Sequence, residues 1–375
     1  MSQIFELFGY PIDTWDEEAW KNLRVAHCPF IGGECDGGGN RYASKVSLRG
    51  ERELRRFFAP ELDTVQAGVC SLQLRAGEQP WIVCPKRLLH FSEAAQGLQR
   101  ATRESVLAYT GLKKGDRYKV WTEIKLKTEV TGADGRNVLF DYSFDYILST
   151  VVPKPLREVC DVTGKSERSL RKILTENGMT IARRGNSDWV EDFPDGTLVL
   201  IEIMTSSTSG GNDAKRTQIG QVFKETILRL AGVPEVAPNG PGINYRQVWA
   251  RMISQLLVKS QIGAAWGGKT FWVLQDVLAD YISRTTALDL SAFLSSVPDE
   301  VNIISFGYGR RVSPDKRGND GRLIPMKDGK LYAGPIDGGG GGKGFVDIVK
   351  LGCSPSVDKL KDRLLSKKPC YSGVV

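Results

Sequence analysis

The chain has 375 residues, of which 41% are hydrophobic and 25% charged, and this composition is typical of a globular protein with a sizeable core. No apolar run reaches the roughly 18 residues that a membrane helix needs, and residues 1–20 lack the pattern of a secretion signal, so we expect a cytoplasmic protein. The 51 basic residues exceed the 44 acidic residues by seven, and this excess permits nucleic-acid binding without requiring it. The chain has two histidines, too few for an active site that uses several histidines.

Residues 1–89 are predicted to form an N-terminal lobe with a short peripheral helix in the first 25 residues. This lobe contains four of the seven cysteines, at positions Cys28, Cys35, Cys70 and Cys84. Nearby glycine-rich loops are tight enough to bring four sulfurs to one metal ion, and four thiolates suit iron or zinc equally. The alternative is four unrelated buried thiols, because free cysteine packs well in cores. An odd number of cysteines argues against a closed disulfide framework.

Residues 90–310 are predicted to form an α/β core with a mixed central sheet flanked by helices. In chain order the pattern predicts a helix at 86–112, a β-hairpin at 118–152, an excursion from the sheet at 153–196 with a helix at 166–178, a strand at 197–205, helices at 213–231 and 244–262, and strands at 270–275 and 301–307. Residues 311–375 read as a loop-rich C-terminal extension, with a glycine-rich tip at 337–344 and a basic helix at 355–369.

The segment Gly263–Thr270, GAAWGGKT, fits the phosphate-binding pattern GxxxxGK[ST]. That pattern functions when a strand precedes the loop and a helix follows it, so that backbone amides surround the phosphates. Here a helix is predicted before the loop and a strand after it. We therefore interpret the match as accidental.

Two acidic residues stand in otherwise apolar strand sequences, Asp145 in FDYSFDYIL and Glu202 in TLVLIEIMT. An unpaired buried carboxylate is costly, whereas two carboxylates on adjacent strands are suitable ligands for magnesium. The alternative is that each acid faces solvent. The hairpin would also place Glu123 opposite Asp145, where we interpret it as a surface residue paired with a lysine.

The order Asp145 … Glu202-Ile203-Met204 fits the PD-(D/E)xK nuclease pattern except at its third position. That position normally carries Lys, Gln or Glu to orient the attacking water, and Met204 cannot do so. The role of Met204 as the third site residue is therefore doubtful, and a neighbour such as Lys215 would have to supply the missing group.

The chain resembles the NotI-type restriction endonucleases over about residues 20–290. The matching segments are AHCPF at 26–30, GVC at 68–70, WIVCPKRLL at 81–89, YSFDYIL at 142–148, LIEIMT at 200–205 and the long block PGINYRQVW…QDVL at 241–278. The resemblance implies a PD-(D/E)xK core in which Asp145 and Glu202 are the catalytic acids and hold magnesium. It also implies a structural iron site with Cys28, Cys70 and Cys84 as ligands and Cys35 completing the set.

The function implied by this resemblance is a type II restriction endonuclease, a homodimer that cuts both strands of double-stranded DNA at a GC-rich palindrome. A methyltransferase acting on the same site would be its partner. Arg183, Arg184 and Arg216 are candidate readers of guanine bases. Two alternatives remain open: a DNA-binding protein that has lost cleavage, with Met204 as the lesion, and a repair or transposition nuclease of low sequence preference.

Overall fold

A computed structural model describes residues 2–38, 44–92, 96–131, 135–208, 218–233, 239–285, 290–309, 323–327, 329–336 and 355–374. The predicted site residues Arg216 and Lys215, Cys353 and the glycine-rich tip at 337–344 lie outside these ranges. No helix in the ranges given is both long and apolar enough to span a membrane.

The strands are, in chain order, β1 (Gln3–Leu7), β2 (Tyr10–Pro11), β3 (His27–Cys28), β4 (Gly33–Glu34), β5 (Lys45–Ser47), β6 (Thr64–Gln66), β7 (Val69–Gln73), β8 (Trp81–Ile82), β9 (Arg117–Thr131), β10 (Asn137–Pro155), β11 (Ile181–Arg184), β12 (Ser187–Met204), β13 (Lys269–Gln275), β14 (Leu294–Ser295), β15 (Val301–Phe306), β16 (Lys330–Gly334) and β17 (Tyr371–Val374). The α-helices are α1 (Glu17–Arg24), α2 (Arg52–Arg55), α3 (Pro85–Leu88), α4 (Gln96–Tyr109), α5 (Leu156–Thr163), α6 (Glu167–Glu176), α7 (Ile219–Leu230), α8 (Tyr245–Ala265), α9 (Asp276–Thr285) and α10 (Val357–Leu365).

A large sheet forms the centre of the molecule, with strands in the order β14-β16-β15-β13-β12-β10-β9-β17 and β11 paired to β12. Strand β13 runs parallel to both of its neighbours, β12 and β15, while the other neighbouring pairs are antiparallel. The predicted mixed sheet flanked by helices is therefore confirmed. A smaller sheet in the order β2-β1-β7-β8 belongs to the N-terminal residues.

Strand β12 is buried on both faces, and the alternation of its side chains fixes the direction of each one. Val199 and Ile201 pack in a cluster with residues of α3 and α4, whereas Leu198 and Leu200 pack in a cluster that contains Val258 of α8. Glu202 follows Leu200 by two positions and therefore projects toward α8.

The predicted helix at 86–112 is divided into α3 and α4. The chain is extended at Leu89, with φ −150° and ψ 132°, and Leu89 and Phe91 are buried beneath the sheet. Helical spacing of the apolar residues predicted one continuous helix, but burial of these two side chains from an extended segment overrides that tendency.

The excursion from the sheet is shorter than predicted, because β12 begins at Ser187 rather than at 197. Proline and glycine in this segment predicted an interruption of the strand, but register shifts in the pairing of β10 with β12 accommodate Pro194 and Gly196. The hydroxyl of Thr150 donates to the carbonyl of Asp195 at 2.7 Å and accepts from the amide of Thr197 at 2.9 Å. The helix predicted at 166–178 is confirmed as α6, with the Ser166 hydroxyl accepting from the amide of Ser169.

The two ends of the chain take a larger part in the fold than the sequence indicated. Strand β1 is not peripheral, because it lies between β2 and β7 and buries Glu6 completely. The helix predicted at 355–369 is present as α10, and β16 and β17 join the large sheet. The segment Gly263–Thr270 connects α8 to β13, as expected for an accidental phosphate-loop match.

Candidate active site

Asp145 and Glu202 lie side by side on neighbouring antiparallel strands of the large sheet. The register pairs Tyr146 of β10 with Ile201 of β12. Because the strands are antiparallel, the next position places Asp145 opposite Glu202. The backbone amide of Ile203 donates a hydrogen bond of 2.8 Å to Oδ2 of Asp145. The prediction that the two carboxylates occupy adjacent strands is thus confirmed, although Asp145 lies within β10 rather than near its end.

Glu202 is buried, with 2% of its surface exposed, and its partner is Lys259 of α8. The Lys259 ammonium donates to Oε2 of Glu202, while Oε1 has no hydrogen-bond partner among the atoms of the described chain. Burial, followed by the charge of Asp145, raises the pKa of Glu202 to about 8. A buried carboxylate oxygen without a partner is rare in folded proteins.

Asp145 opens onto a cavity of about 460 Å³ that is also lined by Glu123, Lys86, Tyr146 and Met204 among others. Desolvation by the surrounding protein raises the pKa of the Asp145 carboxyl, and the amide of Ile203 opposes this rise. The cavity is large enough for a phosphate group, and its floor carries an acid that favours a cation.

Glu123 stands opposite Asp145, as the hairpin predicted, because β9 pairs Ile124 with Phe144 and Thr122 with Tyr146. Its φ of +51° lies in the left-handed region that side chains other than glycine rarely adopt. This local distortion interrupts the strand at the cavity. The side chain is exposed, as the surface interpretation required, but it lines the cavity with Asp145.

A histidine, His90, contacts Tyr146, one of the residues that line the cavity. Nδ1 of His90 lies 2.9 Å from the hydroxyl of Tyr146. Burial, together with the positive charge of Lys86, lowers the pKa of His90 to about 4. Among the charged groups that influence His90, Asp36 opposes this shift and Arg103 reinforces it.

Replacing His90 with Gln should make the stability of the protein less sensitive to acid. The pKa of His90 is about 4 in the folded chain and about 6.5 when unfolded, so the unfolded state binds more protons between these values. The native protein should therefore lose about 2 kcal/mol more than the variant between pH 7 and pH 4. Urea unfolding at both pH values measures this difference, and equal losses in the two proteins would contradict the assignment.

The four cysteines of the N-terminal residues lie near one another. Cys28 ends β3, Cys70 lies in β7, and Cys84 precedes α3, with its amide bonded to the carbonyl of Cys70 at 3.2 Å. The thiol of Cys35 bonds to Cys28 and lowers the pKa of Cys28, whereas burial raises the pKa of Cys70 and raises that of Cys84 to about 12. All four are free thiols. Cys28, Cys70 and Cys35 also pack in one apolar cluster with Phe30.

The sulfurs nevertheless do not form a closed coordination sphere. In the part of the chain that the structure describes, no group of three or more His, Cys, Asp or Glu side chains has the geometry of a metal site. The donor chemistry fits iron or zinc. The backbone also approaches the cluster closely, since a side chain at Gly38 would place its Cβ 2.9 Å from Sγ of Cys84. Cys160 in α5 and Cys370 beside β9 lie elsewhere.

Two of the predicted DNA-reading arginines, Arg183 and Arg184, do not line the cavity. Arg183 and Arg184 end β11 and pair within their own hairpin, Arg183 with Asp188 at 3.2 Å and Arg184 with Glu191 at 2.5 Å. Such exposed pairs contribute about 0–1 kcal/mol, so both guanidinium groups can exchange partners at little cost. Arg184 also stacks on Trp189, with its guanidinium carbon 5.3 Å from the ring centroid.

A second buried ion pair lies next to the cavity, at the residue that follows Lys86. Arg87 of α3 binds Glu6 of β1 through Nη2 at 2.9 Å and Nε at 3.0 Å, and both side chains are almost completely buried. Tyr308 and Ser71 donate hydroxyl hydrogen bonds to the same carboxylate at 2.7 and 2.8 Å. This network joins the N-terminal residues to the turn that carries Lys86.

Sequence reasoning missed three of these groups, Lys259, Lys86 and the Glu6–Arg87 pair. For Lys259 a signal was present, because LLVKSQI places one lysine in an apolar stretch of a predicted helix. A lysine at such a position requires an acidic partner, and Glu202 was the available buried acid. No family model matches this chain, and no curated protein matches it significantly.

Proposed function

We propose that the chain is a magnesium-dependent nuclease with a PD-(D/E)xK-type core that acts as a type II restriction endonuclease on double-stranded DNA. The observation that carries this proposal is the position of Asp145, which lines the cavity, beside Glu202 of the neighbouring strand, whose Oε1 has no partner in the described chain. The resemblance to NotI-type enzymes adds the expectation of a GC-rich palindromic site.

The two carboxylates suit magnesium, because a hard divalent cation prefers oxygen ligands and needs few protein groups. Asp145 and Glu202 would hold the ion, which supplies Lewis-acid stabilisation of the charge developing on the phosphodiester. Their raised pKa values agree with this role, since a cation would replace the proton that burial otherwise favours.

Lys259 supplies the positive charge that the sequence lacks at Met204. It reaches Glu202 from α8 rather than from the strand, so its ammonium lies at the acid pair even though it comes from a different element. Met204 is half-buried and packs against the hydrophobic core. In this proposal Met204 fills space, and Lys259 orients and neutralises Glu202.

The four-cysteine cluster is proposed to hold one iron or zinc ion of structural role. Four thiolates would close the coordination sphere and leave no position for substrate. Binding the ion would require small side-chain rotations, because the thiols of Cys28 and Cys35 now form a hydrogen bond with each other.

Protein purified without chelators should contain about one iron or zinc ion per chain, as expected for a closed tetrahedral thiolate site. Replacing Cys28 or Cys70 with Ser should reduce the metal content to traces, because three thiolates bind such ions much more weakly. The matched control is Cys160→Ser, which removes a thiol distant from the cluster. Elemental analysis measures the content, and a metal-free native protein that folds normally would refute the site.

Digestion of a supercoiled plasmid or a phage genome, with and without magnesium, tests the function. Discrete fragments that require magnesium would support a restriction endonuclease, and a smear would support a nuclease of low sequence preference. Binding without cutting would support a DNA-binding protein that has lost cleavage. Because one site cuts one strand, a homodimer on a palindrome should convert the plasmid to linear rather than nicked product. Protection of the same DNA by a partner methyltransferase would identify the restriction system.

A further inference from the structure

Lys86 is a cation in the cavity whose role the acid pair does not explain. It belongs to α3 and lines the same cavity as Asp145, Glu123 and Met204. Its ammonium lies 5.9 Å from the centroid of the Tyr146 ring, on the strand residue that follows Asp145. The side chain is half-buried, so part of its hydration is already lost.

Within the ranges that the structure describes, this ammonium forms no ion pair with a carboxylate; it lies over the Tyr146 ring, and its charge acts on Asp145 across the cavity. Other lysines of the sheet behave differently, since Lys119 and Lys154 pair with Asp192 and Asp195 at 2.9 and 3.0 Å. A half-buried ammonium that no carboxylate holds in an ion pair is available to bind a ligand that carries negative charge.

The backbone around Lys86 is fixed on both sides. Cys84 caps the start of α3 beside Gly38, and Arg87 anchors the next residue through Glu6 and the carbonyl of Ile324 at 2.6 Å. The fixed backbone of this turn limits the positions that the Lys86 ammonium can reach. Such preorganisation reduces the entropy lost on binding.

We propose that Lys86 binds the phosphodiester group of the nucleic acid that enters the cavity and holds it against Asp145. This inference rests on the proposed nuclease function, to which it adds a phosphate-binding residue contributed by the N-terminal residues. Lysine is a suitable phosphate ligand because its compact charge tolerates several geometries. The phosphate would supply the negative charge that this ammonium binds.

The test measures the salt dependence of DNA binding by Lys86→Met, Lys86→Arg and the native chain, using a 30-base-pair duplex in EDTA so that cleavage cannot interfere. Loss of one phosphate contact should reduce the slope of log Kobs against log salt by about 0.9. Lys86→Arg should retain the native slope, since it keeps the charge. Lys21→Met, which removes an exposed lysine of α1, is the matched control and should leave the slope unchanged.

Cleavage is then measured in magnesium with the same proteins, and Lys86→Met should raise KM about 10-fold more than Lys21→Met does, as expected for about 1.4 kcal/mol of lost binding. A slope for Lys86→Met equal to that of Lys21→Met overturns the proposal, whether or not the native chain cuts DNA. A reduced slope in a chain that never cuts DNA retains the phosphate contact and refutes the nuclease function. A native chain that does not bind DNA refutes both.

Discussion

Replacing Asp145 with Asn or Glu202 with Gln should reduce magnesium-dependent DNA cleavage by about 10³-fold, which corresponds to about 4 kcal/mol of lost transition-state stabilisation. Each change removes one negative charge while keeping the shape of the side chain, so the remaining acid cannot hold the cation against the phosphate. Specific DNA binding should persist or tighten, because its contacts lie elsewhere and the repulsion of phosphate falls. Single-turnover cleavage and equilibrium binding measure the two effects separately.

Met204→Ala is the matched control for these variants. It alters a side chain that lines the same cavity, yet it removes no charge. Its cleavage rate should remain within about 10-fold of the native rate, below the loss typical of an acid–base participant. Near-native cleavage by Glu202→Gln would overturn the assignment of the acid pair as a whole.

Replacing Arg87 with Met should lower the free energy of unfolding by about 3–5 kcal/mol, the range for removal of one partner from a buried ion pair. The substitution leaves the Glu6 carboxylate buried, with hydroxyl donors from Tyr308 and Ser71 but no counter-charge. Urea unfolding at pH 7 measures the loss. The exposed control Arg75→Met, which breaks a surface pair with Glu78, should cost less than about 1 kcal/mol.

The double variant Glu6→Gln with Arg87→Met separates the buried charge from the packing. If the loss in Arg87→Met arises from the unpaired carboxylate, adding Glu6→Gln should restore more than half of the lost stability. The reason is that Glu6→Gln removes the charge that lacks a partner. A double variant as unstable as Arg87→Met alone would show that packing of the arginine, rather than its charge, is the larger contribution.

The sequence was sufficient to predict the features that depend on local pattern. Alternating apolar residues around Asp145 and Glu202 predicted two strands, and the structure places the two acids side by side on these strands. The serine cap of α6 and the rejection of the Gly263–Thr270 loop followed from rules about helix ends and element order. These inferences need no knowledge of distant contacts.

The sequence was insufficient where contacts between distant segments decide the outcome. Lys259 is 57 positions from Glu202, and Arg87 is 81 positions from Glu6, so neither pair leaves a local pattern. The extended segment at Leu89 replaced a predicted helix because burial beneath the sheet outweighed helical spacing. The spacing of the cysteines could not predict the geometry of their sulfurs, which form no metal site in the part of the chain that the structure describes, because that geometry depends on side-chain rotamers.

The pairing of β17 with β9 has a consequence for how the chain folds. Tyr371 pairs with Val120, and the indole of Trp121 donates to the carbonyl of Lys367, so this edge of the sheet is completed by residues about 250 positions away. Closing such long loops costs entropy before any contact forms, which makes folding slow. Until that pairing forms, the backbone of β9 offers unpaired amides and carbonyls to other chains. Aggregation during refolding should therefore depend strongly on protein concentration.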